Sequence, residues 1–299
     1  MLETKLLATV AAVAHEGSFE RAAQTLHITA SAVSQRIRLL EERMGTVLIV
    51  RGQPCTATQA GARLCRHAGI VALLEADLRR DMPAPFQSHS PLGQASIRIA
   101  VNADSLSTWF IAAMTDFCRS GGPLIELSVD DQDQTSEWLK QGHVLAAVTS
   151  LAAPVQGCSS RKLGTLRYCA TASPGFVRQW FPAGVTAEAI ALAPSLVFDR
   201  NDRLQEHWVK RWLRWHIPLP AHRLPSTQAF VEASLAGIGW GMNPLQLVHE
   251  HLKSGRLVEL VAARPLDVPL YWQVAKLALP ELERLSQSVL RASRQALAR

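Results

Sequence analysis

The stretch SFERAAQTLHITASAVSQRIRLLEER, residues 18–43, predicts two helices that meet at a sharp turn. Ser18 can cap the first helix by accepting a hydrogen bond from an otherwise unpaired N–H group of its first turn. Thr29 or Ala30 opens the second helix. Each helix has one apolar stripe at helical spacing, formed by Phe19, Ala22, Ala23 and Leu26 in the first and by Val33, Ile37 and Leu40 in the second. The pattern predicts a helix-turn-helix.

The opposite face of the second helix is polar. Its residues recur at i, i+3, i+4 and i+7, and they are Ser31, Ser34, Gln35 and Arg38. Short hydrogen-bonding groups together with a cation suit a helix that lies in the major groove of DNA. An ordinary helical hairpin with a solvated polar face is the alternative, because such faces are common. The candidate DNA-binding residues are Ser31, Ser34, Gln35, Arg36, Arg38 and Arg51.

Positive charge continues beyond this helix. Between residues 36 and 66 there are six arginines and two glutamates. The arginines are Arg36, Arg38, Arg43, Arg51, Arg63 and Arg66. These cations could meet phosphates on both sides of a groove, so double-stranded DNA is the expected partner.

Two short extended pieces and a long helix follow. Residues 47–51 and 54–57, around Gly52, predict a small β-wing that completes a winged helix-turn-helix domain over residues 1–58. The long helix has an apolar seam formed by Leu64, Val71, Leu74 and Leu78. We interpret residues 59–82 as a dimerising linker helix, because a lone helix with such a seam needs a partner. Packing of the seam against its own domain is the alternative.

Length and composition limit the class of protein. The chain has 299 residues, a net charge of +6 and a pI near 9.4, which favours polyanionic partners. No apolar run approaches the roughly 18–20 residues that span a bilayer. The N-terminus lacks a basic n-region and has Glu3 near its start, so we expect a cytoplasmic protein without a membrane partner. The five cysteines form no CxxC pair and are expected to be reduced.

Residues 83–94 are rich in Pro, Ser and Gly, and we interpret them as a hinge. Beyond the hinge, strand-like and helix-like segments alternate, which predicts an α/β domain over residues 95–299. The pattern restarts near residue 193, as expected for two lobes. Segments 166–171 and 269–276 can cross between the lobes, and a final helix from Pro280 would pack on the first lobe.

Two predicted helix N-termini in this domain are candidate ligand positions. Ligands bind beyond the carboxyl ends of strands in open α/β sheets, and free N–H groups there favour an α-carboxylate. Asp104 suits an amino group, while carboxylates after strands, such as Asp130 and Asp199, could pair with a cationic side chain. Plain N-caps and solvated loop carboxylates are the alternatives. The candidate effector-binding residues are Asn102, Asp104, Ser105, Asp130, Asp199, Ser226, Thr227 and Gln228.

The sequence contains no GxSxG, Walker loop, HExxH or Cys-rich cluster, so neither an enzyme nor a metal or cofactor is expected. Three hypotheses remain. The first is a ligand-responsive DNA-binding regulator, the second a solute-binding protein with an extra N-terminal domain, and the third an enzyme on the α/β domain. The absence of a signal peptide disfavours the second.

The N-terminal region resembles the LysR-type transcriptional regulators, with the same order of helix, helix-turn-helix, wing and linker helix. The motifs FERAAQTLHITASAVSQRI and VNADSLSTWF resemble the lysine/arginine-exporter regulators (ArgP/LysG) of that family. The residues that carry the family resemblance are Phe19, Ala22-Ala23, Leu26, Ser31-Ala32-Val33-Ser34, Ile37, Leu40-Glu41, Gly45, Arg51, Thr58 and Ala60-Gly61.

The resemblance implies a two-lobed effector domain like a periplasmic binding protein, with lysine or arginine bound between the lobes. It also implies a homodimer through the linker helix that assembles into a tetramer, and control of an amino-acid exporter gene. A LysR-type regulator that responds to a different small metabolite is the alternative.

Overall fold

The computed structural model describes residues 3–80, 95–130, 138–140, 143–214, 216–276 and 280–298. The predicted hinge at 83–94 and the last residues of the predicted linker, 81–82, lie outside these ranges.

The first part of the chain is three helices and a wing. Helices α1 (Thr4–Glu16), α2 (Phe19–Thr25) and α3 (Ala30–Met44) precede strands β1 (Ile49–Val50) and β2 (Thr56–Ala57), which pair antiparallel. The predicted Ser18 cap forms, because its Oγ accepts from the Arg21 N–H at 3.3 Å. Thr29 caps the helix that was predicted to open at Thr29 or Ala30, because its Oγ1 accepts from the Ala32 N–H at 3.2 Å. Apart from Leu26, the predicted apolar stripes pack in one core, whose buried residues include Val10, Val13, Ala22, Val33, Ile37, Leu40 and Leu48.

Helix α4 (Gln59–Arg80) follows the wing directly. The Thr58 side chain caps it by accepting a hydrogen bond from the Gly61 N–H at 3.1 Å. Its predicted seam divides in two, since Leu64 is 7% exposed and packs in the N-terminal core, whereas Leu74 and Leu78 are 48% and 60% exposed. For Leu64, the alternative of packing against its own domain is therefore the correct one.

The second part contains a seven-stranded mixed sheet. Strands β3 (Ser96–Asn102), β4 (Leu124–Asp130) and β5 (Ala146–Thr149) form its parallel part, with β3 in the middle. Strands β6 (Cys158–Ala172) and β11 (Leu266–Ala275) pair antiparallel along their length, and β11 also pairs with β5. The C-terminal end of β6, from Tyr168 to Ala172, pairs with β9 (Gly241–Pro244) and β10 (Val258–Glu259). These two long strands contain the predicted crossover segments.

The second lobe is built beside this end of β6. Strands β7 (Ser195–Val197) and β8 (Ala221–Arg223) pair in parallel, and a bridge from Ser195 to Trp240 links them to the residue before β9. The helices of this lobe are α6 (Pro174–Trp180), α7 (Ala187–Leu192), α8 (Leu204–Leu213), α9 (Thr227–Ala236) and α10 (Leu245–Lys253).

Two of the described helices pack against each other on the first lobe. Helix α5 spans residues 103–119 and includes a π-helical turn at Leu106–Phe110. The last helix, α11 (Pro280–Ala296), packs on α5, and the Arg291 guanidinium pairs there with Asp116 at 2.5 Å. The predicted position of the final helix is therefore confirmed. Its contact with the sheet includes a hydrogen bond from the Trp272 indole to Ser286 at 2.9 Å.

Candidate DNA interface and effector cavity

The polar face of α3 is open to solvent. Ser31, Gln35 and Arg38 are exposed, while Ser34 and Arg36 are half-buried at the edges of the face. Arg38 donates to Glu42 at 2.8 Å, and both side chains remain well exposed. An exposed i,i+4 pair contributes only about 0.3–0.5 kcal/mol, so Arg38 can exchange Glu42 for a phosphate or a base at little cost.

The wing places a further cation beside this face. The Arg51 guanidinium lies 5.2 Å from the centre of the Phe19 ring, in the range of a cation–π contact. Ser31, Ser34 and Arg51 line one groove of about 750 Å³ between the helices and the wing. The structure thus brings together three of the predicted DNA-binding residues, which are 20 positions apart at most in the sequence.

Glu41 has a role that the charge count did not reveal. Its Oε1 accepts hydrogen bonds from the backbone N–H groups of Leu48 and Ile49, at 2.8 and 3.3 Å. The carboxylate therefore holds the start of the wing against α3. Its position just before the wing and its place among the residues of the family resemblance are the sequence signals for this role.

A cavity of about 340 Å³ lies between the two lobes. Of the predicted effector residues, Asn102, Asp104 and Thr227 line it. Among the described residues, Ser105, Asp199, Ser226 and Gln228 are not part of its lining. Asp130 is the last residue of β4. The remaining polar or charged lining residues are Ser150, Asn201, Asp202, Arg203, His207, Asn243 and Asp267.

Asp104 joins the lobes. Its Oδ2 accepts a hydrogen bond from the Tyr168 hydroxyl and its Oδ1 accepts one from the Thr227 hydroxyl, both at 2.8 Å. Tyr168 belongs to β6 and Thr227 begins α9, so one carboxylate holds a crossing strand and the second lobe against the first. Burial raises the pKa of Asp104, while the two hydroxyls lower it and the nearby Asp202 raises it.

Asp202, which the sequence did not single out, also lines the cavity. It accepts backbone hydrogen bonds from Phe198 and Leu204, at 2.8 and 3.0 Å. Burial raises its pKa, and these N–H groups oppose that shift. The predicted Asp199 instead caps its own loop, because its Oδ1 accepts from the N–H groups of Asn201 and Asp202 at 2.6 and 3.0 Å.

Two residues of the cavity wall have buried amide side chains with atoms that lack a partner among the described residues. Asn102 is 2% exposed, and neither its side-chain oxygen nor its nitrogen has a hydrogen bond. Asn243 is 1% exposed, and its nitrogen donates to Thr171 and Ser234 while its oxygen stays unpaired. An unpaired buried polar group costs about 1–3 kcal/mol, so both amides have unused hydrogen-bonding capacity beside the cavity.

The other predicted positions have local roles. Ser226 caps α9 by accepting a hydrogen bond from the Ala229 N–H at 3.3 Å, and Gln228 is exposed. Ser105 is buried inside α5, and its hydroxyl has no partner among the described residues. For Ser226, the N-cap alternative is therefore the one that the geometry favours.

Within the described part of the chain, no three His, Cys, Asp or Glu side chains are arranged to hold a metal ion. The same residues include no helix with the length and hydropathy of a membrane span.

A winged helix-turn-helix followed by a two-lobed domain with a polar cavity defines the class of ligand-responsive DNA-binding regulators. Residues 4–62 match the family described as "Bacterial regulatory helix-turn-helix protein, lysR family", and residues 92–294 match the "LysR substrate binding domain". The chain belongs to the LysR family of transcriptional regulators. It is a transcriptional regulator that binds DNA and a small effector, and it is not an enzyme.

Known proteins are similar over nearly the whole chain. The transcriptional regulator LysG of Mycobacterium bovis is 43% identical over 288 residues, which are 96% of this chain and 92% of that protein. The crystal structure of ArgP from Mycobacterium tuberculosis has a TM-score of 0.83 at 42% identity and covers 100% of this chain and 99% of its own. Full-length LysG from Corynebacterium glutamicum with bound effector Arg has a TM-score of 0.72 at 34% identity, with 100% of both chains covered.

Proposed function

We propose that this regulator responds to a basic amino acid, arginine or lysine, and controls an amino-acid exporter gene. The observation that carries the proposal is the charge of the cavity: Asp104 and Asp202 line it, and within the described residues no cation forms a salt bridge with either. Arginine and lysine each carry two cationic groups, which can balance two carboxylates. The similar LysG with bound Arg supports the same ligand class.

The binding residues follow from the cavity. Asn102, Asp104 and Thr227 contact the effector from its wall, and Asp104 receives a cationic group. Ser105, Asp199, Ser226 and Gln228 lie outside the lining and are not among the contacting residues that we propose. A regulator that responds to a different small metabolite is the second candidate, and the unpaired amides of Asn102 and Asn243 favour a polar one.

On the DNA side, α3 enters the major groove with Ser31, Ser34, Gln35, Arg36 and Arg38, and Arg51 contacts the backbone from the wing. The DNA-binding domain is residues 1–58, the linker 59–82, the hinge 83–94 and the effector domain 95–299. Two copies pair through the exposed part of α4, including Leu74 and Leu78, and such dimers can assemble into a tetramer. A two-fold dimer then meets a site with approximate two-fold symmetry. The protein works in the cytoplasm, where the chromosome is.

A thermal-shift screen of the full-length protein against the natural amino acids tests the effector. A ligand that binds only the folded state at 100 times its Kd stabilises it by about 2.7 kcal/mol. We expect arginine or lysine to raise the unfolding temperature and to change the affinity for a DNA duplex selected from a random library. A response to a neutral or acidic compound alone would refute the effector and leave the family assignment intact.

A further inference from the structure

The cavity contains three carboxylates, and they differ in what neutralises them. Asp267 is paired with the Arg167 guanidinium through two hydrogen bonds of 2.8 and 3.0 Å. The cation Arg203 on the cavity wall is itself paired with Glu206 at 2.8 Å. In the described part of the chain, Asp104 and Asp202 form no salt bridge, so they are the carboxylates left for a cationic ligand.

These two carboxylates have different surroundings. Both carboxylate oxygens of Asp104 already accept hydrogen bonds from hydroxyl groups, and these bonds hold the side chain at the junction of the lobes. Asp202 is oriented by main-chain N–H groups of its own loop, and the apolar residues Phe198 and Leu204 line the cavity with it. The methylene stem of arginine or lysine packs well on such apolar surface while its cationic end stays on a carboxylate.

We propose that Asp202 is the specificity-determining residue of this site: it pairs with the side-chain cation of the effector, while Asp104 receives the α-ammonium group. This inference rests on the proposed function. Asp104, at the fixed junction of the lobes, then recognises the part that all amino acids share. Asp202 recognises the part that distinguishes basic amino acids from neutral ones.

The unpaired amide of Asn102 can bind the remaining charged group of the effector. The effector's α-carboxylate needs donors, and the side-chain nitrogen of Asn102 is a buried donor without a partner among the described residues. The ligand then brings two cationic groups to two carboxylates and one carboxylate to an amide.

Asp199 provides a matched control in the same loop. It lies three residues before Asp202 and does not line the cavity. In Asp199→Asn the remaining side-chain oxygen can still accept the N–H groups of Asn201 and Asp202. The variant therefore removes one negative charge near the site and preserves the loop.

The experiment is calorimetry on the full-length protein with arginine and with citrulline, which replaces the guanidinium by a neutral urea group of nearly the same shape. We expect the wild type to bind arginine more tightly than citrulline by about tenfold or more, because hydrogen bonds to charged groups are the stronger ones. In Asp202→Asn, arginine binding should weaken by about tenfold or more while citrulline binding changes less than about threefold. Asp199→Asn should keep the wild-type ratio.

A second variant covers the event that Asp202→Asn disturbs its loop. In Asp202→Ser the hydroxyl can still accept one of the two main-chain N–H groups, and the same loss of discrimination is expected. If arginine binds the wild type and both folded variants keep the arginine-to-citrulline ratio, the inference is wrong and the proposed function stands. Equal affinity of the wild type for arginine and citrulline would also overturn it, without any variant. If the wild type binds neither arginine nor lysine, the proposed function itself fails.

Discussion

The contact between the wing and the linker helix depends on a glycine. A Cβ atom added at Gly61 would lie 2.0 Å from the carbonyl oxygen of Leu48. That oxygen already accepts a hydrogen bond from the Thr58 N–H at 2.9 Å. Because the obstacle is main chain and not the end of a flexible side chain, Gly61→Ala must push the wing away from α4 by about 1 Å or more to reach the 3.0 Å below which Cβ contacts are essentially never seen.

Gly69→Ala in the same helix is the matched control. Its added Cβ would meet the Arg98 guanidinium at 3.7 Å, an ordinary contact. Both substitutions gain up to about 1 kcal/mol of helix propensity, so the difference between them isolates the clash. Overpacking typically costs about 1–3 kcal/mol of unfolding free energy. In a domain of this size, each kcal/mol lowers the unfolding temperature by roughly 4–8 °C.

The assay can separate the two domains because all eight tryptophans lie at position 109 or beyond. Far-ultraviolet circular dichroism follows the helices of both domains, whereas tryptophan fluorescence follows only the effector domain. We expect Gly61→Ala to lower the temperature of a circular-dichroism transition that fluorescence does not report, and to weaken DNA binding. Equal stability of Gly61→Ala and Gly69→Ala would refute the close approach of Gly61 to the Leu48 carbonyl oxygen.

Three further predictions follow from the interfaces and the cavity. Gln35→Ala should cost about 1–3 kcal/mol of binding free energy on the selected DNA site and little on random DNA. Arg51→Ala should weaken binding to both DNAs and reduce the salt slope by about 0.9. Fluorescence anisotropy at several salt concentrations measures the two variants, and an equal loss on the two DNAs for Gln35→Ala would contradict base reading. Leu78→Glu should separate the dimer in sedimentation, since Leu78 is 60% exposed in the single chain and the change opposes like charges in the paired helices; an unchanged oligomer would remove Leu78 from the interface. The raised pKa of Asp104 means that its buried charge destabilises the ligand-free protein above that pKa. Wild type should therefore gain stability relative to Asp104→Asn as the pH falls from the raised pKa towards 3.8, and should lose arginine affinity over the same range, which thermal unfolding and calorimetry measure.

The helix-turn-helix could be predicted from the sequence because its determinants are local. The capping hydroxyls of Ser18 and Thr29 bond to N–H groups three residues away. The glycines after α1 and α3, Gly17 and Gly45, adopt left-handed φ angles of 63° and 66° that end the helices. The apolar stripes follow the helical period, so they also identified the residues that enter the core, with the exception of Leu26. The α/β class of the second part could be read in the same way, from the alternation of strand and helix patterns.

The partners of side chains depended on contacts that spacing cannot reveal. The sequence pointed to Asp199 because it follows a strand, but the turn of the chain directs Asp199 to its own loop and Asp202 to the cavity. The partners of Asp104 are 64 and 123 residues away. Leu64 belongs to the same helical stripe as Leu74, yet Leu64 alone of the two is buried, because it packs in the core of the N-terminal domain. Local sequence thus determined the helices, their ends and their apolar faces, because hydrogen bonds within a few residues control them. Which carboxylate faces the effector was decided by tertiary structure, because that depends on where distant strands and loops bring their backbones together.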